Sequence, residues 1–283
     1  MKSFKEQTAR IIFMISACIA IIAVTLICIF LFANGIPAMG KIGFWKFLSG
    51  TVWKPENDIY GIFPMILASI YVTTGAIILG VPVGILSAMF LTRFCSKRLY
   101  KIIKPAVDLL AGIPSVVYGF FGLMVIVPTI RNAFGVSGAS MLAASIVLGI
   151  MILPTIIGIS ESAIRAVPES YYEGSLALGA SHERSVFFSV LPAAKSGITA
   201  AVILGIGRAI GETMAVIMVA GNQAVIPGGI LDGLRTLTAN IVIEMSYAAD
   251  LHREALIATG VVLFVFILII NLTFSLLKRR TKD

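Results

Sequence analysis

Charge is what this chain has least of: 13% of its 283 residues are Asp, Glu, Lys or Arg, and only 14 are acidic. So few charges, set between uninterrupted apolar runs, leave no room for a sizeable water-soluble domain. Cysteine is scarce as well. Cys18 and Cys28 fall in the first apolar run and Cys95 beside a basic stretch, with no evident disulfide partners, so a disulfide framework is excluded and the three are read as packing residues. The phosphate-binding pattern Gly-x-x-x-x-Gly-Lys-Ser/Thr is missing, which excludes a P-loop ATPase within this polypeptide. Internal repeats and low-complexity segments are absent. Nothing marks a catalytic constellation or a metal site, and the chain is expected to hold no cofactor of its own.

What is present is apolar: 58% of the residues. No charge occurs from Ile11 to Gly40, Ile59 to Thr92, Leu109 to Ile130, Asn132 to Ser160 or Ala255 to Leu277, and a run from Ser196 onward is broken only by Arg208 and Glu212. A membrane-spanning helix needs roughly 20 such residues. The pattern predicts an all-α membrane protein, a single domain over 1–283, with six spans near 11–33, 63–92, 106–128, 140–163, 197–220 and 254–277. The first run exceeds the roughly 7–15 apolar residues of a signal peptide and lacks a clear small-x-small cleavage site, so it is read as a span.

The 22 Lys and Arg give a net charge of +8, and their placement explains them. Lys2, Lys5 and Arg10 precede the first span. Arg93, Lys97, Arg98, Lys101 and Lys104 lie between the second and third, Arg165, Arg184 and Lys195 between the fourth and fifth, and Lys278, Arg279, Arg280 and Lys282 after the sixth. The alternate loops hold only Lys41, Lys46, Lys54, Arg131, Arg235 and Arg253. The positive-inside rule then predicts both termini in the cytoplasm. The basic excess is topology beside membrane lipid, and no nucleic-acid partner is expected.

Gly80-Val81-Pro82-Val83-Gly84, Gly112-Ile113-Pro114 and Leu153-Pro154 punctuate three spans. Proline frees a carbonyl and bends a membrane helix, which suits helices bounding a pathway, although membrane helices carry more Pro and Gly in any case. Trp45, Trp53 and Tyr60 fall in a loop expected at the outer headgroup level. Residues 237–244 predict a short interfacial or re-entrant helix.

One insert, 165–195, is expected on the cytoplasmic side. Pro168, Glu169 and Glu173 suit the start of a short helix, Gly179 its end, and Pro192 a stop before the fifth span. In the fifth span Arg208 and Glu212 stand four residues apart, expected on one helix face, with Gly207 and Gly211 allowing close helix approach. Charge in the bilayer costs roughly 2.5–3.5 kcal/mol on insertion scales, so the pair faces protein or water. It is either a structural ion pair locking two helices or an oxyanion element, in which Arg208 binds two oxygens at once and Glu212 holds the guanidinium.

The insert resembles the permease subunits of ATP-binding-cassette importers, whose signature is Glu-Ala-Ala, three residues, Gly, nine residues, then Ile-x-Leu-Pro. Glu173, Gly179, Leu191 and Pro192 match; Gly174 and Ser175 replace the alanines, and Ser189 the branched residue. The resemblance implies a type I importer permease fold and a coupling helix, Glu173 to Gly179, that docks on a separate ATPase. Gly112 to Gly119 and Gly207 to Ala215 sharpen it: together they are similar to the PstC-type permease of the phosphate importer. This implies inorganic phosphate as substrate, a PstA-type sister permease, a homodimeric PstB-type ATPase using ATP and Mg, and an extracytoplasmic PstS-type binding protein. It also implies that Arg208 and Glu212 form the charged pair of the path. A permease for another oxyanion, a gradient-driven anion transporter or channel, and a membrane anchor for a soluble enzyme are the alternatives.

Overall fold

The computed structural model describes residues 4–280, with side chains from 6 to 273. Lys2 and Lys282 lie outside that range, as do the side chains of Lys5, Lys278, Arg279 and Arg280. The described residues are mostly helical, with one hairpin of two-residue strands and an irregular stretch at 220–236 that carries an isolated bridge from Gly221 to Leu234. Helix α1 spans Phe4–Ile42 and α2 Phe44–Ser49; strands β1 (Trp53–Lys54) and β2 (Ile59–Tyr60) pair antiparallel; α3 spans Phe63–Met89. There follow α4 (Lys97–Gly112), α5 (Ser115–Phe121), α6 (Val127–Phe134) and α7 (Met141–Arg165). The insert forms α8 (Glu169–Ala177), α9 (His182–Ser185) and α10 (Leu191–Ala193). The chain closes with α11 (Lys195–Gly211), α12 (Met214–Val219), α13 (Leu237–Glu244) and α14 (Asp250–Arg280).

Among the described residues, five stretches are long and apolar enough to cross a membrane: Glu6–Ile42, Phe63–Phe94, Ser115–Phe134, Met141–Arg165 and Asp250–Thr273. A sixth is a pair bent by 70°, His182–Ala193 with Lys195–Gly211. Two expected spans differ. The third begins at Ser115, not near 106, because Ile113 and Pro114 are extended and end α4; proline disfavours helical geometry in the residue before it. The fifth is not continuous to 220, because the helix breaks after Gly211.

The central contact is α3 against α7, running side by side in one direction. A Cβ on Gly80 would meet the Gly149 carbonyl at 2.8 Å, and one on Gly84 would meet Ile156 at 2.7 Å. These glycines serve close packing, and Pro82 sits within a continuous α3 rather than breaking it. Buried Ala76, Val147, Leu148, Met151, Ile152 and Ile156 fill the seam. Helix α1 lies at the periphery, exposed along its apolar length, and packs on α14 through Phe32 and Phe264, with ring centroids 5.8 Å apart.

Each end of the bundle is tied by a buried carboxylate. At the hairpin end Glu244 accepts from Trp53 Nε1 at 2.8 Å, sits 2.8 Å from His252 Nε2 and pairs with Arg235. Trp53 and Tyr60 are therefore buried against α13 and α14, while Trp45 is exposed. At the insert end Glu161 accepts from Tyr100 Oη at 2.6 Å and Arg165 Nε at 3.0 Å, and lies 3.1 Å from Lys104 Nζ. It thus fastens α4 to α7.

Candidate functional site

Two places merit construction from their residues: the insert, and the break in α11.

The insert begins at Val167-Pro168, where proline in extended geometry starts α8 with Glu169 in the first turn. It ends as glycine permits. Gly179 has φ +86°, its N–H donates to Leu176 O at 2.9 Å, and Ala180 N–H donates to Ser175 O at 3.2 Å. This double bond pattern closes a helix only if the turning residue accepts a left-handed backbone. Gly174 and Ser175 sit inside an unbroken α8, so replacing the alanines leaves the helix intact. Glu173 and Gly174 are exposed, and Leu178 is 91% exposed, an apolar side chain presented to nothing in this chain. Leu191 and Pro192 occupy the α10 turn, so Pro192 does not end the helical run; the 70° bend comes at Ala194.

Residues not singled out from sequence hold α8 in place. Arg93, in the π-helical turn Phe90–Phe94 that follows α3, reaches Glu169 at 2.8 Å and stacks over the Tyr172 ring at 5.2 Å. Tyr172 Oη lies 2.6 Å from His182 Nδ1, and Phe94 meets the His182 ring edge-on at 4.7 Å. α8 is clamped at its start and free along its outer surface.

At the second place, α11 ends at Gly211 and Glu212 is extended at φ −70°, ψ 131°. Its carboxylate accepts from Ala215 N–H at 3.2 Å, capping α12, where negative charge complements the helix dipole. Its freed carbonyl accepts from Thr238 Oγ1 of α13 at 3.1 Å. Broken backbone inside a membrane protein must find such partners. The expected pairing of Arg208 with Glu212 on one helix face is therefore corrected: the break turns Glu212 away, and no ion pair joins them.

Arg208 instead donates from Nη1 to Thr155 Oγ1 of α7 at 3.2 Å. It is half-buried, 13 residues into α11, or about 20 Å along the axis from Lys195. Gly207 and Gly211 do not admit another helix of this chain. A Cβ on either meets nothing within 4 Å, and Leu204 on the same stripe is exposed. The two sequence segments singled out above do converge: a Cβ on Gly119 would lie 2.8 Å from Ala215 Cα, and Tyr118 is buried with its hydroxyl on Leu110 O at 2.8 Å. Sequence reasoning missed Thr155, whose hydroxyl is unremarkable in a helix. It also passed over Glu161, although an acid in an apolar helix was a signal in plain view.

Residues 80–283 match the model of the binding-protein-dependent transport system inner membrane component. The chain belongs to that family. The permease is 39% identical to the probable ABC transporter permease protein YqgH of Bacillus subtilis (strain 168), over 95% of this chain and 91% of that one. It is 34% identical to the phosphate transport system permease protein PstC of Mesorhizobium japonicum, over 86% and 81%. A PstC from Haemophilus influenzae is 30% identical, over 93% and 88%. Among solved structures, a bacterial alginate ABC importer aligns at TM-score 0.62 and 14% identity, covering 98% of this chain and all of the other. The MetNI methionine ABC transporter aligns at 0.57 and 21%, covering 78% and 94%. These last two establish the type I importer permease fold. The permease is thus a multi-pass membrane transport subunit of an ABC system, a class that works with an ATPase and a binding protein.

Proposed function

We propose that this permease forms half of the translocation path of an ATP-driven importer of inorganic phosphate. The observation that carries the proposal is Arg208, a half-buried guanidinium well inside an apolar helix, with no carboxylate partner and only the Thr155 hydroxyl to meet it among the described residues. A cation so placed is costly unless water or an anion meets it, and guanidinium matches the oxygens of a phosphate. The names of the PstC relatives support phosphate over other oxyanions. The open stripe of Leu204, Gly207 and Gly211 beside Arg208 supports a sister permease of PstA type as the other half.

The insert end faces the cytoplasm in this proposal, with both termini, as the basic residues there favour. Glu173, Gly174, Ser175 and Gly179, with Leu178 as the apolar anchor, dock on a homodimeric PstB-type ATPase, which binds the ATP and Mg. Leu191 and Pro192 carry that movement into α11. The hairpin end receives phosphate from a PstS-type binding protein. This chain performs no covalent chemistry and has no nucleotide site of its own.

Mechanistically, closure of the ATPase dimer displaces α8, the clamp through Arg93 moves α3, and the bend at Ala194 transmits the shift to α11. Arg208 offers a transient site: one guanidinium attracts the anion yet lets it leave. Reconstitution with the three partners tests the whole proposal. Phosphate uptake that requires ATP and the binding protein is expected; uptake driven by a sodium or proton gradient without ATPase would overturn it.

A further inference from the structure

We propose that Thr155 is a positioning residue that aims Arg208 at the transported oxyanion; this rests on the pathway role of Arg208 argued above. Threonines inside these helices usually return their hydroxyl to the carbonyl four residues back. Thr25, Thr129, Thr199 and Thr259 do so at 2.6–2.9 Å. Thr155 makes no such bond. Its Oγ1 accepts from Arg208 Nη1 instead, across the contact between α7 and α11.

The consequence is electrostatic and geometric. A hydroxyl holds the guanidinium without cancelling its charge, which a carboxylate there would do. Holding it through Nη1 leaves the Nε–Nη2 edge, which has no acceptor among the described residues, free to donate two parallel hydrogen bonds. That edge matches two oxygens of a tetrahedral oxyanion. Pro154 precedes Thr155 and is buried, so the hydroxyl is carried on a packed turn of α7. Glu212 is meanwhile occupied at the start of α12, so the one acid near Arg208 in sequence does not compete for it.

The test uses the full importer in proteoliposomes with loaded binding protein, reading phosphate uptake, ATP hydrolysis and co-purification of the subunits. Thr155→Val, nearly isosteric, should lower uptake about tenfold, the effect of losing one hydrogen bond to a charged group, while ATP hydrolysis and assembly stay normal. Thr155→Ser should restore at least half of the uptake. Thr155→Asp should assemble but abolish uptake, because a fixed carboxylate neutralises Arg208; a merely structural contact would be kept or strengthened by that ion pair. Normal uptake in Thr155→Val, equal defects in Val and Ser, or loss of assembly in Val would each overturn the proposal. Arg208→Gln separates the two levels: if it transports normally, the pathway role of Arg208 itself is wrong.

Discussion

Arg208 and Glu161 show how differently a bundle can treat ionised side chains. Arg208 keeps its charge against a neutral hydroxyl, whereas Glu161 is 4% exposed and meets two cations and a phenol. Arg208→Gln is expected to abolish phosphate uptake while the complex still co-purifies; loss of assembly would mark the arginine as structural. For Glu161→Gln the expected result is the reverse, with the path intact and α4 loosened. Lys104 and Arg165 are partly exposed and regain water, so the cost should be about 1–3 kcal/mol, read as a lowered melting temperature in detergent. At the hairpin end, burial and the hydrogen bond to Asp58 push Tyr60 from its usual 10.0 to about 12. Its raised value stabilises fully below pH 10 and the contribution fades as pH rises toward 12. The wild type should lose stability over that window more steeply than Tyr60→Phe, measured by thermal melts at fixed pH.

Helix α8 owes its shape to its two ends. Proline opens it, Gly179 closes it in left-handed geometry, and the Arg93–Glu169 pair with the Tyr172–His182 contact fixes it to the turn after α3. Gly179→Val forces a branched residue into positive φ. The expected outcome is release of the ATPase or hydrolysis without transport, checked by co-purification and by phosphate moved per ATP; unchanged coupling would count against docking here. Leu178→Asp tests the surface itself, since α8 would keep its fold but lose its apolar anchor. It should weaken ATPase retention about tenfold or more, the scale of an interface anchor. The last turns of α4, from 106 to 112, were absorbed into an expected span, because Val107, Leu110 and Ala111 run on into the next apolar stretch. Only the Ile113-Pro114 break divides them.

The bundle as a whole packs tightly within and leaves one stripe of α11 uncovered. Its tightest seam, α3 on α7, is internal and glycine-packed, while the stripe of Leu204, Gly207 and Gly211 beside Arg208 is left open by the same chain. A Cβ at Gly207 or Gly211 meets no atom of this subunit within 4 Å. Gly207→Leu should therefore leave its own stability unchanged and reduce recovery of the sister permease; equal recovery would place the partner on another face. Span number, helical class, the insert and its closing glycine were legible because uncharged length, proline and glycine act locally on the backbone. The sequence also marked Arg208, since any charge in such a run calls for explanation. It misjudged the partner of that charge. A spacing of four residues implies a shared face only while the helix continues, and whether it continues at Glu212 depends on Ala215 receiving its cap and on Thr238 arriving from α13. Those partners stand 3 and 26 residues away, and Thr155 lies 53 residues from Arg208. Local chemistry thus determined that a cation would sit in the membrane, and long-range packing decided which neighbour holds it and which edge it offers.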